Sequence, residues 1–575
     1  MTAAGILAVR AVNQYRRRDV LAYLGLRYYL ANSAARTDQW ANEVAPSLVL
    51  RRANPAYLVV QHFKDVDARG VVAHRELFLP GPNEALAEAA LLAACAESGG
   101  AFVPDNSVFS YRLATGSDVS GVYQHYMHGL RARHVAIANA CKQAPEAKVV
   151  FLDLRRFYPS IDIRRARSVW TDACAESALP VPWIDLGLRL LDEHGLASGA
   201  ARGHLLTGPM FSHLIGNLML RRIDQQMSAC PGRYFRYVDD IALVGSASEI
   251  EASLLVLRSQ LDEIDLQLHD QNSSKSLTVT AQTWLNSERD YEEQKGGVSW
   301  MTFIGDLKRL LLTNPQLRGA LVDALAGEGF RVPVPDYSAA VGERTYRERL
   351  AFLFRTDWFR RRVRAPSIQS VMAMAFALRD AYGREALVLL DGLERADTFQ
   401  SKRLLPKLRY RFGRLAYLGD ESQLANLASA SANVSALRFH SAVAGAIATG
   451  DVGGVIGYGV NAAQAAAQPL RMQSRRCFIG ESSKLTGAEQ SLAVLNLNGL
   501  KIDFPASDPV ANELLAFAVS GSNSDLMRSG DPFIRELACL HGISDHPRHQ
   551  QTLDTAFDHG EDIALDAIEQ DHQSS

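Results

Sequence analysis

Cysteine is scarce in this 575-residue chain, and none of it is arranged for chemistry. Cys95, Cys141, Cys174, Cys230, Cys477 and Cys539 are scattered, with no two at metal-ligand spacing. That excludes a disulfide scaffold or a zinc finger and predicts reduced, mostly buried thiols. His541, His546 and His549 cluster without cysteines at zinc-site spacing. No apolar run reaches the roughly 18 residues of a membrane span. The opening MTAAGILAVRAVNQYRRRDV puts its basic cluster after a short apolar stretch, the reverse of a secretory signal, and a cytosolic protein without membrane attachment is expected. A P-loop is also missing. The glycine-rich ATGDVGGVIGYGV (448–460) has neither the GK[ST] of that motif nor dinucleotide spacing, and reads as a flexible turn.

Net charge is nearly absent too, at -2, but it is unevenly distributed. Residues 1–60 set eight Arg against Asp19, Asp38 and Glu43. Residues 341–420 set seventeen Lys and Arg against nine Asp and Glu, whereas 551–575 hold seven acids and no Lys or Arg. Basic segments with an acidic tail suit a protein that binds a polyanion over part of its surface, although Arg-rich helices can equally be solvated faces.

The length predicts two to four domains and the balance, 47% hydrophobic and 22% charged, is that of an ordinary globular protein, whose pattern of strands and helices reads as α+β. Residues 7–60 read as helical. Alternation in AYLVVQHF and GVVAHRELFLP predicts two strands around a turn near Asp67 and Gly70. EALAEAALLAACAE is a helix ended by Gly99-Gly100, and YQHYMHGLRARHVAIANAC is another. MFSHLIGNLMLRRIDQQM and EIEASLLVLRSQLDEI are helices flanking the hairpin-like YFRYVDDIALVG, and short strands follow around SKSLTV and SWMTFIG. Beyond about 310 the pattern is helical, with loops at Gly327–Pro335 and around Gly450–Gly459.

Chemistry is suggested by carboxylates. In VVFLDLRRFYPSIDI an apolar run enters a strand with Asp153 at its end, and in YFRYVDDIALVG two adjacent acids fall at a turn between apolar strands. Singly, Asp239-Asp240 could be an exposed turn and Asp153 a helix cap. Neighbouring carboxylates repel unless cations neutralise them, and phosphoryl transfer gives a reason to keep them. Two Mg²⁺ ions about 4 Å apart activate a hydroxyl and steady the leaving pyrophosphate, on hard carboxylate ligands.

At this point the chain resembles the palm of reverse transcriptases. Tyr237-Val238-Asp239-Asp240 has the form of motif C, and Asp153 followed by Phe157-Tyr158-Pro159-Ser160-Ile161 looks like motif A. Gly208 through Asn217 looks like motif B, LDLQLHDQNSSKSL resembles motif D with Lys275 in its lysine position, and Phe303-Ile304-Gly305 resembles motif E. The resemblance covers about 55 to 310. It implies a right-hand polymerase, with an N-terminal basic helical segment (1–55), fingers and palm (56–310), a thumb-like region (311–420) and an all-α C-terminal extension (421–575).

Carried over by residue, the resemblance makes Asp153 and Asp239, supported by Asp240 and the Leu154 carbonyl, the holders of two Mg²⁺ ions, with Mn²⁺ as substitute. Lys275 would protonate or bind the pyrophosphate. Tyr158 would stand against the sugar and select dNTPs. Arg112 in NSVFSYRL and, more weakly, Arg75 would bind the triphosphate, near Thr207, Gly208 and Ser212. The chain departs from many relatives at Thr207, where they have Gln, and His213, where they have Pro. Arg360-Arg361-Arg362 and Lys402, Arg403, Lys407 and Arg409 interleave with aromatics, as backbone contact plus base stacking would use, or as a packing helix with a charged face would.

No RNase H, integrase, protease or endonuclease pattern follows, and the whole is similar to the bacterial defence-associated and abortive-infection reverse transcriptases. That implies a cytoplasmic anti-phage RNA-directed DNA polymerase with an RNA template, sometimes a dedicated non-coding RNA, or partly template-independent synthesis. It also implies a DNA product and a homo-oligomer or partner protein. An RNA-directed RNA polymerase and a catalytically silent nucleic-acid-binding scaffold are the alternatives.

Overall fold

The computed structural model describes residues 57–334 and 366–503, apart from 68–69, 116–120, 271–274, 293–298, 474 and 481–487. It also describes Arg10, Ala11, Gln14, Asp531, Phe533 and Ile534. The expected N-terminal helices, Arg360–Arg362 and the acidic tail lie outside these residues. What is described is a mixed α/β protein, mostly helical, with small sheets. It divides into two units, one of 1–59 with 77–296 and one of 60–76 with 297–575.

The alternating segments form the hairpin β1 (Tyr57–Val66) and β2 (Val72–Pro80), turned where Gly70 N–H donates to the Asp67 carbonyl at 3.0 Å. Its middle, 60–76, groups with the second unit. In the first unit, Pro82 opens α1 (Pro82–Ser98) and Gly99 caps it, a proline start and glycine stop. Then come α2 (Tyr126–Gln143), β3 (Lys148–Asp153), α3 (Ile163–Ala175), α4 (Val181–Ala197) and α5 (Met210–Ser228). Helix α5 is buried throughout Met210–Leu220, including the polar Ser212, His213 and Asn217.

Strands β4 (Arg233–Tyr237) and β5 (Asp240–Gly245) form the expected hairpin. Helix α6 (Ala247–Glu263) begins with a capping box between Ser246 and Glu249, then β6 (Leu277–Thr280) and α7 (Ala281–Glu292) follow. The sheet order is β4-β5-β3-β6, with β5 and β6 both antiparallel to β3. The two inner strands, β5 and β3, are the apolar ones, with Ile241 to Val244 and Val149, Val150 and Leu152 buried.

Two local expectations fail. SWMTFIG is not a strand but the start of α8 (Trp300–Thr313), in the second unit. Ser299 caps it, accepting from Thr302 N–H, and Trp300, Phe303, Ile304, Leu307, Leu310 and Leu311 are buried at helical spacing, a period the short window concealed. The glycine-rich 448–460 segment is also not only a turn, because 453–458 form a short helix.

The rest of the second unit is built of α9 (Arg318–Gly327), the long pair α10 (Ile368–Glu394) and α11 (Thr398–Leu418), then α12 (Glu421–Ser431) and α13 (Arg438–Thr449). The short α14 (Gly453–Tyr458), α15 (Val460–Gln473) and α16 (Glu489–Leu497) complete it, with a two-residue parallel strand pair at Cys477–Phe478 and Ile502–Asp503.

Helix α11 carries the basic stretch expected to meet nucleic acid or to pack with a charged face, and at Arg409 the structure favours packing. Arg409 is 2% exposed and donates to the Ala436 carbonyl. Arg411 pairs with Glu385 and lies over the Tyr382 ring at 4.3 Å, and Arg414 lies over Tyr410 at 4.3 Å. These cations join helices by pairing and ring stacking. Lys402, Arg403 and Lys407 remain half-buried on the same helix.

Candidate active site

The strand register brings the acids together. Asp153, the last residue of β3, lies directly opposite Asp240, the first of β5, and Tyr237 pairs with Asp240 across the hairpin. Val238 and Asp239 are therefore the two loop residues, and the Leu154 N–H donates to the Asp239 carbonyl at 3.0 Å. Asp153 is fixed from its other side, where its carbonyl accepts from His269 N–H at 2.9 Å. Its carboxylate is 23% exposed, with Lys275 Nζ and His269 Nε2 each 4.0 Å from Oδ2. Lys275, expected from motif D to act on the pyrophosphate, is thus a neighbour of Asp153.

Asp240 is occupied differently. Arg133 of α2 grips it with two prongs, Nη1 to Oδ2 at 2.9 Å and Nη2 to Oδ1 at 3.1 Å. Among the described residues no group of three or more His, Cys, Asp or Glu could hold a metal ion. Of the oxygens expected to hold Mg²⁺, those of Asp153, Asp239, Asp240 and the Leu154 carbonyl, the Asp240 carboxylate is engaged by a guanidinium.

The loop is strained and braced. Val238 has φ of 56°, a left-handed conformation that a β-branched residue rarely adopts and that hairpins normally assign to glycine. Its N–H donates to Ser110 Oγ at 2.7 Å and its carbonyl accepts from Arg236 Nη1 at 2.9 Å. Arg236 is fully buried and forms a forked pair with Asp224 of α5, at 2.8 and 2.6 Å. Burial works against its charge, but the Asp224 carboxylate outweighs that and raises its pKa above the ordinary arginine value. Asn217 completes the brace, accepting from Arg236 through Oδ1 and donating through Nδ2 to the Ser110 and Tyr111 carbonyls.

The motif B residues act largely through backbone and packing. The Thr207 carbonyl accepts from Phe78 N–H at 2.8 Å, and Gly208, at φ of 123°, passes so close that a Cβ would lie 2.6 Å from the Phe78 oxygen. Only glycine serves there. Ser212, proposed to contact the nucleotide, is instead fully buried, with no hydrogen-bond partner for Oγ among the described residues. The N-terminus of α5 is closed by Glu88 of α1, which accepts from Phe211 N–H at 3.0 Å and from the Tyr57 hydroxyl at 2.6 Å. Burial pushes the Glu88 carboxyl up to about 7, although those bonds pull it down.

Tyr158 is 9% exposed, its hydroxyl 2.6 Å from His213 Nδ1. Arg112 does not project freely. Its Nε donates to the Val108 carbonyl at 2.9 Å and its Nη2 to the Asp105 carbonyl at 2.7 Å, so it braces its own loop. Arg75 belongs to the second unit, where its charge adds to burial in lowering the His62 pKa to about 3.

Sequence reading missed Arg133, Glu88 and Arg236. A signal existed for each. Arg133 shares a helical stripe with the buried Ile137, Ala140 and Cys141, and Arg236 alternates with buried Tyr234. A charge on a buried stripe demands a partner. Glu88 stands in the apolar run of α1 for the same reason. Comparison with known proteins adds no identity: no family model matches the chain and no curated protein does.

Proposed function

We propose that the chain is a reverse transcriptase, an RNA-directed DNA polymerase extending a 3′-hydroxyl. The observation that carries this reading is the junction of Asp153 with the Val238-Asp239 loop, where two strand ends bring acids from distant sequence together beside Lys275. The antiparallel β4-β5-β3-β6 sheet backed by α2 and α5 is what a polymerase palm would require, and on this reading α1 and the loop at 103–115 belong to the fingers. Helices α8 to α11 would form the thumb.

Two Mg²⁺ ions held by Asp153, Asp239 and the Leu154 carbonyl would neutralise the charge that builds up as pyrophosphate leaves. Lys275 would hold a proton or a positive charge beside that leaving group. Arg133 fixes Asp240 and so the first residue of β5, which keeps the adjoining Asp239 in place. Tyr158 would stand against the sugar and exclude a 2′-hydroxyl. The setting we infer is bacterial anti-phage defence, with an RNA template, from the resemblance to defence-associated reverse transcriptases.

The test is labelled-nucleotide incorporation by protein purified with its bound nucleic acid, each dNTP against each NTP. The expected result is Mg²⁺-dependent dNTP incorporation that disappears in Asp239→Ala. Preference for NTPs would shift the reading to an RNA polymerase, and RNA binding with no incorporation under Mg²⁺ or Mn²⁺ would make it a scaffold.

A further inference from the structure

We propose that His213 is the positioning residue that holds Tyr158 rigid and thereby sets the choice of dNTP over NTP; the inference rests on the polymerase reading. A side chain that excludes a hydroxyl by size does so only if it cannot swing aside. An unsupported tyrosine rotates about χ1, so the strength of such exclusion depends on what holds the ring.

Here the outer half of the ring is held at its tip and along one edge. Its hydroxyl meets His213 Nδ1 at 2.6 Å, while its edge lies against Gly216, where a Cβ would come within 3.4 Å of Tyr158 Cε1 and 3.0 Å of Phe157 Cε1. His213 and Gly216 are one helical turn apart on α5, so one face provides both the bond and the recess. The imidazole is in turn immobilised. It stacks on Tyr111 with ring centroids 3.8 Å apart and planes inclined by 6°, and Tyr123 stands edge-on to it at 6.2 Å. Tyr123 is anchored through its hydroxyl to the Met210 carbonyl at 2.8 Å.

The stacking partner itself is preset. Tyr111 has φ of 47°, an uncommon left-handed conformation, and its carbonyl accepts from Asn217 Nδ2 at 3.4 Å. Tyr111, His213 and Tyr158 thus form a continuous chain from a strained loop to the sugar-facing ring. A proline at 213, as in many chains with this motif, would offer neither a hydrogen bond nor a stacking plane.

The experiment compares kcat/KM for a dNTP and the matching NTP in the full-length protein, for wild type, His213→Phe, His213→Gln, Tyr158→Phe, the His213→Phe, Tyr158→Phe double variant and Asp239→Ala. His213→Phe keeps a ring on Tyr111 but loses the bond, and His213→Gln keeps a polar partner but loses the stack. We expect the dNTP/NTP ratio to fall about tenfold in His213→Phe and similarly in Tyr158→Phe, with no further fall in the double variant, the signature of one shared interaction. His213→Gln should recover part of the ratio. An unchanged ratio in His213→Phe, or equal losses for both sugars, overturns the positioning role and leaves the polymerase reading intact. No incorporation by wild type, or incorporation that survives Asp239→Ala, overturns the polymerase reading and this inference with it.

Discussion

Arg133 and Asp240, on a helix and on a strand 107 residues apart, meet in a two-pronged pair that also reaches the Asp240 carbonyl, 3.2 Å from Nη2. The guanidinium is buried, whereas the carboxylate side chain is 48% exposed. A cation therefore already offsets one of the two adjacent acids, which eases the repulsion that made Asp239-Asp240 conspicuous.

Arg133→Met should consequently weaken nucleotide incorporation, and Arg133→Lys should restore only part of it, because a single ammonium cannot match the fork. Half-exposure of Asp240 limits the stability loss to roughly 1–2 kcal/mol. Incorporation assays alongside urea unfolding separate the two effects, and wild-type activity in Arg133→Met would refute the role assigned to the pair.

Asp224→Ala should be far more damaging. It strands a fully buried guanidinium whose removal from water is otherwise compensated by two short bonds, and about 3–5 kcal/mol is expected. The Val238 carbonyl depends on the same Arg236, so the loop should loosen before the unit unfolds. Urea midpoints report the first effect and loss of incorporation at permissive temperature the second.

Gly208→Ala combines a left-handed backbone with a 2.6 Å approach to backbone, and neither neighbour is a side chain that can turn away. We expect a loss above about 2 kcal/mol, read as a lowered thermal midpoint. A midpoint equal to wild type would mean that this backbone crossing is not tight.

Glu88 gives a pH dependence. Its folded pKa of about 7 lies above the ordinary 4.5, so the folded form binds the proton more tightly. Its contribution is full below about pH 4.5 and is lost as pH rises through about 7, by about 3 kcal/mol at most. Glu88→Gln, which resembles the protonated acid, should lack this fall. Urea unfolding of both proteins from pH 5 to 8 should show the variant gaining on wild type, and parallel curves would count against it.

The elements with strong local signals were readable from sequence. The β1–β2 hairpin, helices α1, α2, α5 and α6, and the β4–β5 hairpin appear where alternation and helical spacing put them. SWMTFIG was misread because seven residues cannot distinguish a strand from one exposed-to-buried turn of helix, and only the longer repeat through Leu311 decides. The basic run at 402–414 stayed open between nucleic-acid contact and packing because sequence gives charge but not direction, and Arg409 falls on the packing side.

The sequence by itself determined that three aspartates stand at the ends of apolar strands or in the turn joining them, with a motif of glycine, serine and asparagine between them, since side-chain type and period are local properties. Tertiary structure alone decided the rest: that β3 lies between β5 and β6, that Arg133 takes Asp240, that Arg112 turns to its own loop, and that His213 takes Tyr158. Those are choices among partners tens of residues apart, and they follow from which buried polar groups must be satisfied once the core has closed.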